Sequence, residues 1–176
     1  MTGQGKGAEN SAGNGKITWI WNHPLYQEYY RKLEELERDR VFCRHQMPHL
    51  LDVARIAWIT NLEQGLGFDR EVVYAAAILH DIGKALQYTE KIPHEKAGEE
   101  IAGRILDTLP EEASFSEAEK DMILTAIRGH RRKREGMEPL ELLLYESDKL
   151  SRQCFACPAE QECDWSTEKK NLEITI

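Results

Sequence analysis

One stretch of the sequence indicates the fold: Glu71-Val72-Val73-Tyr74-Ala75-Ala76-Ala77-Ile78-Leu79-His80-Asp81. Its first nine residues are almost wholly apolar, which is typical of a buried helix, and an imidazole beside a carboxylate closes the run. Burying these two groups costs free energy unless a partner compensates them. A divalent metal ion is such a partner, because it takes neutral histidine and ionised aspartate as direct ligands. The stretch therefore predicts a buried helix that ends at a metal site.

The pattern on either side of this stretch is also helical. Apolar residues follow Pro24 at spacings of three and four, and a second amphipathic segment begins near Pro48 and stops before Gly65. Pro93 suits the first turn of a helix that Pro110 terminates. Further helices are predicted to start after Asp69, after Ser116 and at Pro139. Strand signals are nearly absent, so the sequence predicts one all-α domain of about six or seven helices.

Length and charge narrow the class of protein. A chain of 176 residues favours a single domain with a real core. The net charge of −8 argues against general nucleic-acid binding through bulk charge. No apolar stretch approaches the roughly 20 residues that span a bilayer, so no membrane association is expected. Residues 1–16, rich in Gly, Ser and Asn, are predicted to be a disordered leader without a signal peptide, and a cytoplasmic location is expected.

Two further polar residues lie on apolar helix faces and can complete a metal site. His49 falls in the first turn of an amphipathic helix, and Asp148 lies on the most leucine-rich helix. Each has another interpretation, because His49 can be a cap or a satisfied core group and Asp148 can pair with Arg152 at i+4. His45 is a rival for the upstream ligand, and Asp52 is expected to be solvated or to contact a ligand. The set is more persuasive than its members, because these groups need a common partner.

Three segments together carry a resemblance to a known family. They are His49 with Val53-Ala54 and Ile56-Ala57, then Ile78-Leu79-His80-Asp81-Ile82-Gly83-Lys84, then Glu146-Ser147-Asp148-Lys149-Leu150. In this combination the chain resembles the HD-domain metal-dependent phosphohydrolases from about residue 41 to 152. The resemblance implies a single HD-domain helical bundle and favours His49 over His45. It also implies the metal ligands His49, His80, Asp81 and Asp148.

The resemblance divides the chain and suggests a second metal. Besides the leader, the expected parts are an N-terminal helical segment (17–40), the HD domain (41–152) and a cysteine-containing segment packed on it (153–176). In binuclear members of the family, histidines in the regions of His94 and His130 hold a second ion, and the aspartate equivalent to Asp81 bridges both. The other interpretation is that His94 caps a helix and His130 meets a helix C-terminus as a cation.

The expected chemistry is phosphate-ester hydrolysis. Histidine and carboxylate donors suit Fe, Mn, Zn, Ni or Mg, so one or two divalent ions of open identity are expected. A bound ion lowers the pKa of a water molecule to roughly 7, so a metal-activated water is the expected nucleophile, with Asp81 and Lys84 as catalytic residues. The predicted function is a phosphomonoesterase or phosphodiesterase acting on a nucleotide or related small phosphate ester.

A phosphate substrate also needs cations. Lys84 lies one helical turn after His80 if that helix continues, and the resemblance likewise places this lysine near the phosphate. Arg128 and Arg131 belong to a run of five cations around His130, and arginine suits bidentate phosphate contacts. The other interpretation of this run is a solvated helix end.

The cysteines are not required by the family. Cys154 and Cys157 form a Cys-x2-Cys pair, and Cys163 follows. Cys43 lies six residues before His49, and Cys154 lies six residues after Asp148. If that histidine and aspartate share a metal, the four thiols lie in one neighbourhood and can bind zinc or an iron–sulfur cluster; the other interpretation is four unlinked thiols. A cluster would favour the alternative function, a nucleotide-binding or redox-sensing HD module with little turnover.

Overall fold

The structure is a computed structural model that describes residues 15–174. Within this range the chain forms eight α-helices: α1 (Lys16–Asn22), α2 (Pro24–Leu36), α3 (Met47–Gln64), α4 (Arg70–Leu79), α5 (Lys84–Glu90), α6 (His94–Asp107), α7 (Glu117–Gly129) and α8 (Pro139–Leu150). Short 3₁₀ helices cover Glu111–Ala113, Cys154–Ala156, Glu160–Glu162 and Thr167–Lys169. The described residues contain no β-strand, so the prediction of an all-α fold is confirmed. The number of helices exceeds the predicted six or seven because two of them, α1 and α5, are only seven residues long.

Side-chain caps explain why several helices begin where the sequence suggests. The Asp69 side chain accepts a hydrogen bond from the backbone N–H of Glu71 at the start of α4. Ser116 and Glu119 form a reciprocal capping box at the start of α7. Each cap satisfies backbone donors that have no partner inside the helix. These helix starts are therefore fixed by local sequence.

The helix α4 ends earlier than a continuous helical pattern through Lys84 requires. It stops at Leu79, with His80 as its C-cap, and Lys84 begins α5 after a turn. Gly83 in this turn lies against α6, since a Cβ atom there would stand 2.2 Å from the carbonyl oxygen of His94 and 2.4 Å from the backbone nitrogen of Gly98. The helix that carries His80 therefore does not continue to Lys84, and the condition for placing Lys84 one turn further along it is not met.

The first helix begins one residue earlier than the predicted end of the leader at residue 16 would allow. Residues 1–14 of the predicted leader lie outside the described residues, but Lys16 already begins α1, and its backbone N–H donates to Glu71 Oε1 at 2.9 Å. The aromatic stretch at residues 19–21 is helical, and the Trp21 ring meets the Tyr26 ring edge-on with centroids 5.7 Å apart. Packing against α2 and α4, rather than local pattern, thus determines α1.

The helix α4 lies at the centre of the bundle. Every residue from Ala75 to Leu79 is at most 2 % exposed, and α4 contacts α1, α3, α7 and α8. The buried Tyr26 hydroxyl donates to the carbonyl oxygen of Ile78 at 3.1 Å. The C-terminal end of α4 is therefore held inside the protein, where His80 and Asp81 have little contact with water. No helix in residues 15–174 is long and apolar enough to cross a membrane.

Candidate metal centre

The ends of five helices converge at one place. They bring together His49 (first turn of α3), His80 (C-cap of α4), Asp81 (the turn after α4), His94 (first residue of α6), His130 (C-cap of α7) and Asp148 (last turn of α8). A helix end lets a side chain project beyond the helical barrel, so several ends can share one small volume. All six residues predicted to hold a metal ion meet here.

Four of these residues form the first group. His49, His80, Asp81 and Asp148 each offer a ligand atom within 4.8 Å of the others. His49 Nε2 lies 3.5 Å from Asp81 Oδ2 and 3.4 Å from Asp148 Oδ1. His80 Nε2 lies 3.1 Å and 3.8 Å from the same two oxygens. Two histidine nitrogens and two carboxylate oxygens thus face one another, which is a donor set suited to a divalent ion.

The second group shares Asp81 with the first. His94 Nε2 lies 3.6 Å and His130 Nε2 lies 3.8 Å from Asp81 Oδ1. The two imidazole nitrogens are 3.1 Å apart, and all three residues are buried. Asp81 therefore turns one oxygen to each group, which is the arrangement expected of a carboxylate that bridges two ions.

The four histidines are oriented by hydrogen bonds outside the centre. His80 Nδ1 donates to the Ala77 carbonyl at 2.6 Å, and His130 Nδ1 donates to the Ile127 carbonyl at 2.7 Å. The Nδ1 atoms of His94 and His49 meet Gln87 Oε1 and Ser151 Oγ, respectively. Because a carbonyl oxygen only accepts, His80, His130 and His94 donate through Nδ1. The Ser151 hydroxyl donates its own proton to the Asp148 carbonyl, so it accepts from His49 Nδ1. Each Nε2 is then left facing the centre, where it can bind a metal.

Unpartnered buried atoms test whether an ion fits. Among the described residues, the buried side-chain atoms without a hydrogen-bond partner are His49 Nε2, His80 Nε2, Asp81 Oδ2 and Arg152 Nε. The first three belong to the first group and face one another. Buried polar atoms are otherwise almost always paired, because an unpaired one costs free energy. One divalent ion among these atoms would satisfy all three, so the donor set fits a metal.

The charge states of the centre suit a cation. Burial alone would raise the pKa of Asp81, but His80, Lys84 and His45 outweigh it and hold that pKa well below its usual value. Burial would likewise raise the pKa of Asp148. Arg152 and other nearby cations outweigh this effect and hold that pKa well below the usual range. Both carboxylates are therefore ionised at neutral pH.

The histidines differ in how they hold protons. Burial lowers the pKa of His49 to about 4 and that of His94 to about 2. For His80 burial acts in the same direction, but Asp81 and Asp148 outweigh it and raise the pKa. A proton on His80 thus supplies positive charge to the carboxylates when no metal is bound.

The rival ligands lie elsewhere. His45 donates its backbone N–H to Glu37 Oε2 at 2.7 Å and bonds through its ring to the other carboxylate oxygen. Tyr88 also donates to this fully buried Glu37, so His45 belongs to a separate polar cluster. Asp52 is partly exposed and pairs with Arg55 at 3.7 Å. Neither His45 nor Asp52 joins the groups that can hold an ion.

The predicted phosphate contacts lie at different distances from the metal centre. Lys84 Nζ lies 3.9 Å from Asp81 Oδ1, and the lysine side chain is 15 % exposed. Arg128 instead pairs with Glu99 at 3.0 Å, and Arg131 pairs with Glu95 at 3.4 Å. Both arginines line a separate surface depression. The structure thus brings Lys84 to the centre and leaves the two arginines at its edge.

Arg152 is the residue that sequence reasoning missed. It is 6 % exposed, its Nη2 donates to Asp148 Oδ1 at 2.6 Å, and its Nε has no hydrogen-bond partner. The available signal was its i+4 spacing from Asp148, which was considered only as an alternative to metal binding. The structure combines both features, since Asp148 pairs with Arg152 and also faces the two histidines.

The four cysteines meet at a cavity that adjoins this centre. Cys43, Cys154, Cys157 and Cys163 all line it, together with Lys84 and Arg152. All four are free thiols, and Cys154 is buried. The neighbourhood inferred from their spacing to His49 and Asp148 is therefore present.

The comparisons with known proteins agree with this geometry. The family model for the HD domain matches residues 48–153. An uncharacterized protein of Clostridium beijerinckii is 45 % identical over 159 residues, which cover 90 % of this chain and 98 % of that protein. Ribonuclease Y of Pseudothermotoga lettingae is 30 % identical over 127 residues, which cover 72 % of this chain but 22 % of the ribonuclease. The chain thus corresponds to about a fifth of the length of that ribonuclease.

A solved structure shares the fold. It is the crystal structure of a predicted HD superfamily hydrolase from an uncultured Thermotogales bacterium, and it matches with a TM-score of 0.63 and 18 % identity over 90 % of this chain and 83 % of that one. At this identity the match bears on the fold alone. The family model, however, covers more than half of the chain. The matched residues include the His80-Asp81 pair and the other four ligand candidates, His49, His94, His130 and Asp148. The chain therefore belongs to the HD-domain family.

Proposed function

We propose that the protein hydrolyses a phosphomonoester or phosphodiester bond in a nucleotide or a related small phosphate ester. The observation that carries this proposal is the position of Asp81, whose two carboxylate oxygens face two different histidine groups. Ionised carboxylates and neutral imidazoles suit Fe, Mn, Zn, Ni or Mg. The donor set therefore supports metal-dependent hydrolysis without selecting the metal.

Two ions are the proposed complement of this site. One is assigned to His49, His80, Asp148 and one oxygen of Asp81, and the second is assigned to His94, His130 and the other oxygen. A divalent ion bound here supplies Lewis acidity towards a phosphoryl oxygen and lowers the pKa of a water molecule to about 7. The protein itself keeps both carboxylates ionised and holds each imidazole in orientation through its Nδ1 hydrogen bond.

Lys84 is the proposed phosphate contact. Its ammonium group lies beside Asp81 without forming a short hydrogen bond to it, since the separation is 3.9 Å. The N–H groups of this ammonium are therefore free to donate hydrogen bonds to a phosphate oxygen near the centre. Arg128 and Arg131 are weaker candidates, because each would first have to leave its glutamate partner.

The substrate class rests on charge and on the relatives. Ribonuclease Y, by its name, acts on RNA, which is a phosphodiester, and this agrees with a phosphate-ester substrate here. The net charge of −8 opposes long polyanions. We therefore favour a small nucleotide or phosphate ester over a nucleic acid.

Asp81→Ala tests the proposal, with Asp52→Ala as the matched control. Metal content is measured by elemental analysis, and hydrolysis is measured on p-nitrophenyl phosphate and bis(p-nitrophenyl) phosphate. Asp81→Ala should lose most bound metal and fall to background turnover, because both groups lose a ligand. Asp52→Ala should keep both properties, because Asp52 lies outside the groups. Undiminished turnover by a metal-free Asp81→Ala protein would reject the proposal.

A second candidate is a nucleotide-binding or redox-sensing module with little turnover. The observation that favours it is the cysteine-lined cavity, which borders Lys84 and Arg152 beside the metal centre. A panel of phosphomonoesters, cyclic nucleotides and nucleoside triphosphates separates the two functions. Full metal occupancy without hydrolysis of any of them would favour the sensor.

A further inference from the structure

Two distant parts of the chain bring their cysteines to one cavity. Cys43 lies in the irregular connection between α2 and α3, whereas Cys154, Cys157 and Cys163 lie in the segment that follows α8. The cavity that all four line has a volume of about 180 Å³. Four free thiols around one partly open cavity are unexplained by the metal centre, whose proposed ligands are histidines and aspartates.

The segment after α8 has little else to hold it in place. Between residues 153 and 174, Cys154 and Ala159 alone are buried, and the only helices are three 3₁₀ helices of three residues each. Asn171 donates hydrogen bonds to the carbonyl oxygens of Leu150 and Arg152. A segment with so small a core usually needs a disulfide or a bound metal to remain folded, and the thiols of this segment are free.

We propose that Cys43, Cys154, Cys157 and Cys163 bind an iron–sulfur cluster. The spacing of the cysteines and the backbone turns support it, because the N–H of Cys157 donates to the Cys154 carbonyl at 3.2 Å and a second such turn precedes Cys163. A Cys-x2-Cys turn directs two thiolates towards one centre and recurs in cluster-binding loops.

The separation of the sulfur atoms favours a cluster over a single zinc ion. A tetrahedral zinc–thiolate site places its sulfurs roughly 3.8 Å apart, given a Zn–S bond of about 2.3 Å. Among the described residues, no three cysteine sulfurs lie within 4.8 Å of one another. In a cubane cluster each thiolate binds a different iron, so the sulfurs lie farther apart around a larger core. An open cavity bordered by four thiols matches this second geometry.

The charges around the cavity also suit an anionic cluster. Four thiolates outweigh the positive charge of the iron–sulfur core, so the assembly is negative. The cavity is lined by four cations, Arg40, Lys84, Arg152 and Lys170. Glu160 and Asp164 also line it. Glu160 pairs with Lys170 at 2.8 Å and Asp148 pairs with Arg152 at 2.6 Å, whereas Arg40 and Lys84 are 4.0 Å and 3.9 Å from the carboxylate oxygens of Glu37 and Asp81. Surrounding cations and backbone donors stabilise a bound anionic group.

The cluster would connect to the metal centre through the chain. Cys43 precedes His49 by six residues, and Cys154 follows Asp148 by six. Binding both cysteines to one rigid group would fix the segments that lead into α3 and out of α8. The proposed role is therefore structural, and it stands independently of whether the metal centre hydrolyses a phosphate ester.

The test uses the full chain, purified without oxygen, and measures iron, acid-labile sulfide, zinc and the visible spectrum. The wild-type protein should contain sulfide and show a broad absorbance near about 400 nm. Cys157→Ser should lose both signals while keeping the metal at the histidine–aspartate centre. Asp81→Ala should keep both signals, which separates failure of this proposal from failure of the proposed function.

Phe155→Ala is the matched control, because Phe155 lies between two of the cysteines, is 42 % exposed and does not line the cavity; it should retain sulfide and absorbance. If Cys157→Ser fails to fold, the sulfide content and the electron paramagnetic resonance spectrum of the reduced wild type still test the proposal. Wild-type protein that holds zinc at the cysteines, or that lacks sulfide after anaerobic reconstitution with iron and sulfide, would overturn it. Cysteine variants that alter only substrate affinity would also overturn it, since the cavity would then receive the substrate.

Discussion

Nε2 of His94 lies 3.1 Å from Nε2 of His130, inside the protein. The His130 ring donates through Nδ1 to the Ile127 carbonyl. Burial lowers the pKa of His94 to about 2, so this ring is neutral at ordinary pH, and its Nδ1 meets Gln87 Oε1. Both rings therefore bond outward through Nδ1 and turn Nε2 towards the same small space. A cation shared with Asp81 would be held by these two nitrogens.

Replacing His130 should remove one ion. We expect His130→Asn to reduce the metal content from about two ions per chain to about one, because the second group loses one of its three ligands while the first stays intact. Elemental analysis of the purified protein measures the change. His23→Asn is the control, since His23 caps α2 at the surface and asparagine also caps helices. Retention of two ions by His130→Asn would count against a second site at His94 and His130.

Metal binding should release a proton whose source is His80. Its pKa is raised in the metal-free protein, whereas that of His49 is lowered to about 4. Because a metal binds only deprotonated imidazole, affinity should rise with pH until His80 has lost its proton. At pH 6, below the pKa of about 7 of a metal-bound water, we expect release of about one proton per chain.

Calorimetric titration in buffers of different ionisation enthalpy measures this number. The sign follows from the two shifts: His80 holds a proton that the metal must displace, and His49 is already neutral. A release close to zero at pH 6, or metal affinity that falls as the pH rises from 6, would contradict the proposed charge states.

Replacing Lys84 should weaken substrate use without removing the metal. We expect Lys84→Met to lower kcat/KM by about 10- to 100-fold, which corresponds to losing one charge-assisted hydrogen bond to phosphate. Lys96, an exposed residue of α6, provides the control Lys96→Met. Arg131→Ala should change kcat/KM by less than about 3-fold, because this arginine is exposed and paired with Glu95. A larger effect for Arg131 than for Lys84 would reverse the assignment of the phosphate contact.

Gly83 should tolerate no side chain. A Cβ atom at this position would lie 2.2 Å from a backbone oxygen and 2.4 Å from a backbone nitrogen of α6, and neither atom can rotate away. We expect Gly83→Ala to lower the free energy of unfolding by about 3 kcal/mol and to weaken metal binding, because it pushes His94 away from Asp81. Urea unfolding and metal titration measure both effects.

Gly103→Ala, in the helix α6 that the Gly83 turn contacts, is the matched control. The nearest atom to a Cβ there is a leucine side-chain carbon at 3.8 Å, so this variant should be neutral or more stable by up to about 1 kcal/mol. Equal stability of the Gly83 and Gly103 variants would show that the contact between the turn and α6 is not needed.

Local sequence determined most of the helices. Asp69 and Ser116 start α4 and α7 through caps that involve only the next three residues, so such starts can be predicted without the fold. The resemblance around His80 and Asp81 likewise pointed to the family and to the ligands that the structure brings together. Gly83 was a candidate for the end of α4 in the sequence, but the close contact of this turn with α6, a separate helix, appears only in the fold.

Only the tertiary structure decided how the charged and thiol groups are used. Lys84, Arg128 and Arg131 were all candidate phosphate contacts in the sequence. In the fold Arg128 and Arg131 pair with glutamates on α6, whereas Lys84 lies beside Asp81. Arg152 was visible only as a spacing from Asp148 until packing buried it there. The physical reason is that caps and periodicity act within a few residues, whereas ion pairs, unpartnered atoms and shared cavities depend on which helix ends meet. The sequence by itself thus determined the helices and the ligand types, and the packing of five helix ends determined the centre that they form.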